Sequence, residues 1–158
     1  MSFLVWRLIM GWLPVDEVLC KRGIPIASRC VCCAQSKTLH HVFFSNPVAS
    51  QIWSYFARLA GIKSEPLLTV QQALITWSLT VKEKGHIRQV LPVVILWALW
   101  DARNNKKHNN YTYTFECICQ KITKVLSTLA RPTMGHPKFW KGEQILAMHF
   151  AAAGQGVV

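Results

Sequence analysis

Cys30 and Cys33 stand two residues apart in the stretch R-C-V-C-C-A-Q-S-K-T-L-H-H-V-F-F-S-N-P, and His41 follows eight positions after Cys33. Two sulfurs so spaced can face one point only if the chain doubles back between them, so a tight turn is required here. With a later imidazole, that turn supplies three ligands of a tetrahedral zinc ion. The fourth position of a Cys-Cys-His-Cys set, five residues after His41, holds Asn46. An amide oxygen is a poor donor to a borderline-soft ion beside two thiolates.

The segment F-L-V-W-R-L-I-M-G-W-L-P precedes this turn and V-F-F-S-N-P-V-A-S-Q-I-W follows it. Together they resemble the zinc-binding domain that follows the reverse transcriptase in LINE-type retroelements of plants. The matching positions are Trp6, Arg7, Leu8, Leu13, Pro14, Cys30, Cys33, His41, Phe43, Phe44, Pro47, Ala49 and Trp53. A second segment, Leu96 to Asn104, resembles the L-W-x-x-W-x-x-R-N stretch that joins this domain to a ribonuclease H domain in the same elements. The resemblance implies a zinc cofactor and a non-catalytic role next to nucleic acid. Two departures stand out: Asn46 replaces the last cysteine of the family pattern, and Met1 falls inside what the family builds as a helix. The chain therefore reads as a truncated, degenerate copy.

Several repairs of the ligand set are conceivable. Cys32 is a third thiol in the same loop, although C-x-C-C places it on the opposite side of the turn from its neighbours. Cys20 could approach from the preceding helix, and a water could fill the gap. His40 points away from His41 on any helix. A complete structural zinc site is worth on the order of 10 kcal/mol or more, so a lost thiolate makes occupancy conditional. Without metal, Cys30 and Cys33 would pack as small apolar side chains.

Charge supplies the second constraint. Eighteen Lys and Arg oppose seven Asp and Glu, a formal net charge of +11. Such an excess favours polyanions, because cations that neutralise phosphates release condensed counterions. A nucleic-acid partner, RNA or DNA, is expected, with phosphate contacts from Arg22, Arg29, Lys37, Arg103, Lys106 and Lys107. The plainer reading of the same charge is a surface that keeps an apolar protein in solution. The seven carboxylates are scattered, and polymerase or ribonuclease H chemistry needs several converging on paired divalent ions. No catalytic residue and no small-molecule substrate are expected.

Half of the 158 residues are hydrophobic, including seven Trp and seven Phe, so the chain can bury a core. No secretory signal pattern opens it, and its longest uncharged apolar run, Val90 to Trp100, is too short to span a bilayer. An intracellular setting, nuclear or cytoplasmic, follows as an expectation.

Along the chain, the apolar spacing predicts helices throughout and an all-α fold. The first spans Phe3 to Trp12 and is stopped by Pro14. Asp16 caps a second, Glu17 to Arg22, ended by Gly23, and this pair would clamp the knuckle from one side. One helical turn, Leu39 to Phe44, carries His41. On a regular helix a residue five positions on lies about 140° away, so the helix must break before Pro47 for both to face one ion. Pro47 to Ala60 follows, with Trp53 as a core anchor rather than a base-stacking platform. Then come Val70 to Val81, a buried helix from His86 to about Lys107, and the amphipathic Phe115 to Leu129, forming an antiparallel hairpin with the helix before it.

The expected organisation is a zinc-knuckle-like module over 1–62, a helical connector over 67–131 and an irregular, partly disordered tail over 132–158. The leading functional expectation is sequence-tolerant nucleic-acid binding. The alternatives are a repurposed helical protein-protein interaction module and an expressed remnant without a selected activity.

Overall fold

The longest helix organises the molecule. In the computed structural model, which describes residues 2–27, 29–30, 33–62, 67, 69–79 and 86–130, the elements are α1 (Ser2–Ile9), α2 (Asp16–Lys21), a π-helical turn (His41–Ser45), α3 (Pro47–Ala60), α4 (Val70–Leu79), α5 (His86–Asn109) and α6 (Phe115–Ala130). The fold is all-α, with no strand among the described residues. The knuckle residues 31 and 32, residues 63–66, 68 and 80–85, and the expected tail from 132 onward lie outside the described residues.

From Leu91 to Trp100 α5 is apolar almost all round, and α1, α3, α4, α6 and the π turn all pack against the helix. Leu91, Val94, Ile95, Leu96, Ala98 and Leu99 are buried in its middle turns. Pro92 is the seventh residue of α5, beyond the first turn where proline is best tolerated, and the helix continues through it. At its far end Asn110, with φ 53°, takes the left-handed conformation that Asn tolerates better than most residues, and a short connection leads into α6. Ile118, Ile122 and Leu126 of α6 are buried at steps of four, the stripe expected from the sequence.

α3 begins and ends as its sequence dictates. Asn46 caps it, Pro47 occupies its first turn, and Gly61 closes it at φ 65°. Trp53 is a core anchor: it is 6 % exposed, donates its indole N–H to the Phe43 carbonyl at 2.7 Å, stacks on Phe44 and meets the edge of Trp77. One apolar core runs through all these contacts, from Leu8 on α1 to Leu126 on α6.

The front of the chain departs from expectation in three places. α1 ends at Ile9, and what stops it is Gly11 rather than Pro14. Gly11 sits at φ 65°, its N–H bonds the Leu8 carbonyl and the Trp12 N–H bonds the Arg7 carbonyl. That paired closure needs a left-handed residue, which glycine adopts without the Cβ penalty. As a second departure, the contacts of α1 are with α4 and α5 of the helical body. α2 reaches the knuckle loop through Asp16, which receives Lys37.

The third departure is Asp16. It begins α2 but does not cap it: Val15 holds the cap position, and no side chain bonds the first turn. Asp16 is instead 3 % exposed and receives Arg103 from α5 at 3.1 Å and Lys37 from the knuckle loop at 3.6 Å. A buried carboxylate is tolerable only with such partners. The Arg103 guanidinium also donates to the Pro14 carbonyl at 3.4 Å and lies over the Trp100 ring. Burial lowers its pKa from the usual value, against the opposing pull of Asp16, and its Nε has no partner.

Candidate metal centre

The knuckle is a backbone turn closed on Cys30. Its N–H donates to the Gln35 carbonyl at 2.8 Å, and its carbonyl accepts the Ala34 N–H at 3.0 Å. Ala34 takes the left-handed conformation at φ 57°, where a side chain is disfavoured, so the chain folds back within four residues. That reversal turns Cys30 and Cys33 to the same side.

The imidazole comes from the other direction. Thr38 accepts the His41 N–H on its hydroxyl at 3.0 Å and starts the helical turn. From His41 to Ser45 the turn is π-helical: the Asn46 N–H reaches back five residues to the His41 carbonyl at 3.1 Å. The helix breaks before Pro47 as expected, with Asn46 extended at φ −71° and ψ 149°, and the wider turn brings position 46 closer over position 41 than a regular helix allows. Such single-turn widenings are frequent at functional sites.

His41 is 4 % exposed, and its two ring nitrogens have separate neighbours. Nε2 lies 3.3 Å from the Cys33 sulfur, while Nδ1 lies 3.3 Å from the Ser45 hydroxyl. The Cys30 sulfur, the Cys33 sulfur and a ring nitrogen of His41 all fall within 4.8 Å of one another. Around a tetrahedral zinc, with bonds of about 2.3 Å to sulfur and about 2.0 Å to nitrogen, sulfur and nitrogen ligands sit about 3.5 Å apart. Donor chemistry and spacing therefore fit the ion. Ser45 is placed to hold the ring orientation through the other nitrogen, the usual duty of a partner behind a ligand histidine.

Asn46 does something else. Its side-chain oxygen accepts the Ala49 N–H at 2.9 Å, and its amide nitrogen donates to the carbonyls of Val42 at 2.9 Å and His41 at 3.2 Å. It joins the π turn to α3. Cys20 is exposed and turns its thiol toward the Ile26 carbonyl, outside the cluster, and Cys32 lies outside the described residues. His40 is exposed and leans on Phe44.

The six cations expected on the surface divide. Arg22, Arg29 and Lys107 are exposed. Lys106 is half-buried and donates to the Asn110 side chain at 3.4 Å. Lys37 is half-buried on Asp16. Arg103 needs correction as a surface contact: its side chain is 13 % exposed and its guanidinium is taken up by Asp16 and Pro14, because α5 needs a counterpart for the buried carboxylate. Those two contacts at one carboxylate nevertheless bring the knuckle loop and the end of α5 together.

The participation of Ser45 and the capping role of Asn46 were not identified from the sequence. Ser45 stands four residues after His41, the spacing at which side chains meet on a helix. Asn46 precedes a proline, and Asn-Pro is a helix-start signature that explains the residue without reference to metal.

Residues 1–53 match the protein family described as zinc-binding in reverse transcriptase. The match is about one third of the chain and contains the whole Cys30, Cys33 and His41 group. No curated protein and no solved structure matches the chain.

Proposed function

We propose, from the match of residues 1–53 to the family described as zinc-binding in reverse transcriptase, that this chain is a retroelement-derived, non-catalytic module that holds zinc at the knuckle and nucleic acid, without sequence preference, on the basic surface beside it. The observation that carries this reading is the convergence of Cys30, Cys33 and His41 within 4.8 Å. Those three residues would hold the ion, and Ser45 would keep the His41 ring turned toward it. Bound zinc supplies a crosslink between the knuckle loop and the π turn.

The loop so ordered carries Arg29 and Lys37. Arg22 lies just before it, at the end of α2. Because Lys37 and Arg103 meet on Asp16, and because Lys106 and Lys107 sit one turn beyond Arg103, the two basic groups of the sequence adjoin. Arg22, Arg29, Lys106 and Lys107 are the proposed phosphate contacts, with Lys37 beside them. Arg103 supports the surface from beneath. Among the described residues no helix is long and apolar enough to cross a membrane, and an intracellular protein, nuclear or cytoplasmic, suits the proposed partner.

The test is binding to a labelled single-stranded oligonucleotide across a salt series. Affinity is expected to fall linearly on logarithmic axes, with a slope of about −0.7 per phosphate neutralised. Replacing Arg22, Arg29, Lys106 and Lys107 together by Gln should flatten that slope. No binding at low salt would sink the proposal.

A second reading, a repurposed protein-protein interaction module, is favoured by the outer face of α1. Phe3, Trp6 and Trp12 are exposed and packed ring on ring, with Ile9 and Met10 exposed beside them. Arg7 lies over the Phe3 ring. The salt series separates the readings: a module that docks only protein through this face binds no oligonucleotide at low salt.

A further inference from the structure

The place where a fourth ligand would stand is the point at which this chain parts from a closed structural site. Asn46 occupies it, yet the amide is committed by three hydrogen bonds, to Ala49, Val42 and His41. Turning that side chain to a metal would uncap α3 and strip the two carbonyls at its other end. The cap alone is worth about 1 kcal/mol, and the exchange would gain a hard oxygen beside two soft sulfurs. Cys20 is turned away toward Ile26. Nor is the site sealed, since Cys30 and Cys33 are both half-exposed. Among the described residues the donor set is therefore two cysteines and a histidine with one position left over, a set that zinc also adopts where an outside molecule must reach it.

We propose that the ion held by Cys30, Cys33 and His41 keeps one coordination position for a donor from outside the chain, and that the donor class it takes is a thiolate. The inference rests on the zinc reading of residues 1–53. Softness selects sulfur, and charge selects an anion. Two thiolates neutralise the doubly charged ion, so a third leaves a net negative site, which the exposed Arg29 of the same loop favours. The step is ligand exchange. An incoming thiol gives its proton to solvent, a metal–sulfur bond forms, solvent leaves, and no electron is transferred. In place of a site finished by its own cysteine, the chain has one that a cysteine-bearing partner or a small thiol completes.

Cobalt substitution tests this on the full chain, prepared free of metal and reduced with a phosphine rather than a thiol. Cobalt titration should give the absorption of a tetrahedral site with two thiolates. Adding 2-mercaptoethanol should then raise the sulfur-to-metal charge-transfer intensity toward that of three. In Asn46→Cys the three-thiolate spectrum should be present from the start and indifferent to added thiol. If wild type binds cobalt but ignores the thiol, the position is filled from within and the proposal is overturned. A response regained in Cys32→Ser would identify the occupant. If wild type binds no cobalt while Asn46→Cys does, the zinc reading of the natural chain falls, and this inference with it.

Discussion

The knuckle loop and the α5–α6 hairpin solve the problem of holding a chain in place by opposite means. In the hairpin, Leu91, Ile95 and Leu96 on one helix and Ile118, Ile122 and Leu126 on the other are almost wholly removed from water. Among the described residues from 29 to 40, none is buried. The loop stands on backbone bonds at Cys30, a left-handed Ala34, and Lys37 reaching Asp16. Apolar burial is non-directional and adds up over many residues, so the hairpin tolerates the loss of a contact or of a ligand. The loop depends on a few directional contacts, and an ion is a natural addition to them. The difference teaches that one part of this molecule is held by its own packing, whereas the other carries a donor set compatible with metal.

The largest effect should come from the hairpin. Ile122→Ala removes a fully buried side chain and should cost about 4 kcal/mol in chemical denaturation, equally with and without zinc. A zinc-dependent cost would break the contrast between the regions. Next is the bridge that ties them. Asp16→Ala leaves the Arg103 guanidinium in its half-dry setting without an anion and should cost about 3 kcal/mol. Adding Arg103→Met should recover much of that in a double-mutant cycle, since an apolar pair fits the same space. If the two substitutions simply add, the bridge is not what joins loop to helix.

Smaller again is Asn46→Ala, expected to cost about 1 kcal/mol by uncapping α3, while Asn46→Asp retains most of the cap. Both are read by thermal unfolding of the metal-free chain. An equal loss in the two variants would remove the capping role. The last prediction concerns reactivity rather than stability. Burial, with a smaller contribution from the Glu116 charge, pushes the Cys119 thiol up to about 12. A raised thiol pKa keeps the neutral, unreactive form through the ordinary pH range, so at pH 8 an alkylating reagent should label exposed Cys20 quickly and Cys119 only on unfolding. Fast native labelling of Cys119 would show the hairpin to be looser than its packing implies.

Where periodicity was strong, the sequence was a reliable guide. The stripe Ile118, Ile122, Leu126 and the apolar run of α5 admit one arrangement, a buried helix with an amphipathic helix laid against it. α3 was equally legible, since Asn-Pro begins it and glycine ends it. Short-range turn chemistry was harder to read. Gly11 stood three residues before a proline that looked like the obvious stop, and Ala34 gives no hint in its side chain that its backbone turns left-handed. At the candidate centre, Cys30, Cys33 and His41 were visible as residue types at a spacing. The roles of Ser45 and Asn46 depended on a turn one residue wider than a regular helix, which side-chain spacing does not encode.

By itself the sequence determined the helical class, the apolar stripes and the three residues able to share an ion, because each of these follows from local spacing along one chain. It could not say where Asp16 would go. A carboxylate that opens a helix looks like a cap until Arg103, 87 positions away, is folded against it and water is excluded. Partner choice for a buried charge is a property of what surrounds it in three dimensions. For the same reason, only the tertiary structure decided that Arg103 belongs under the surface and that Asn46 is held by α3 rather than offered to a metal.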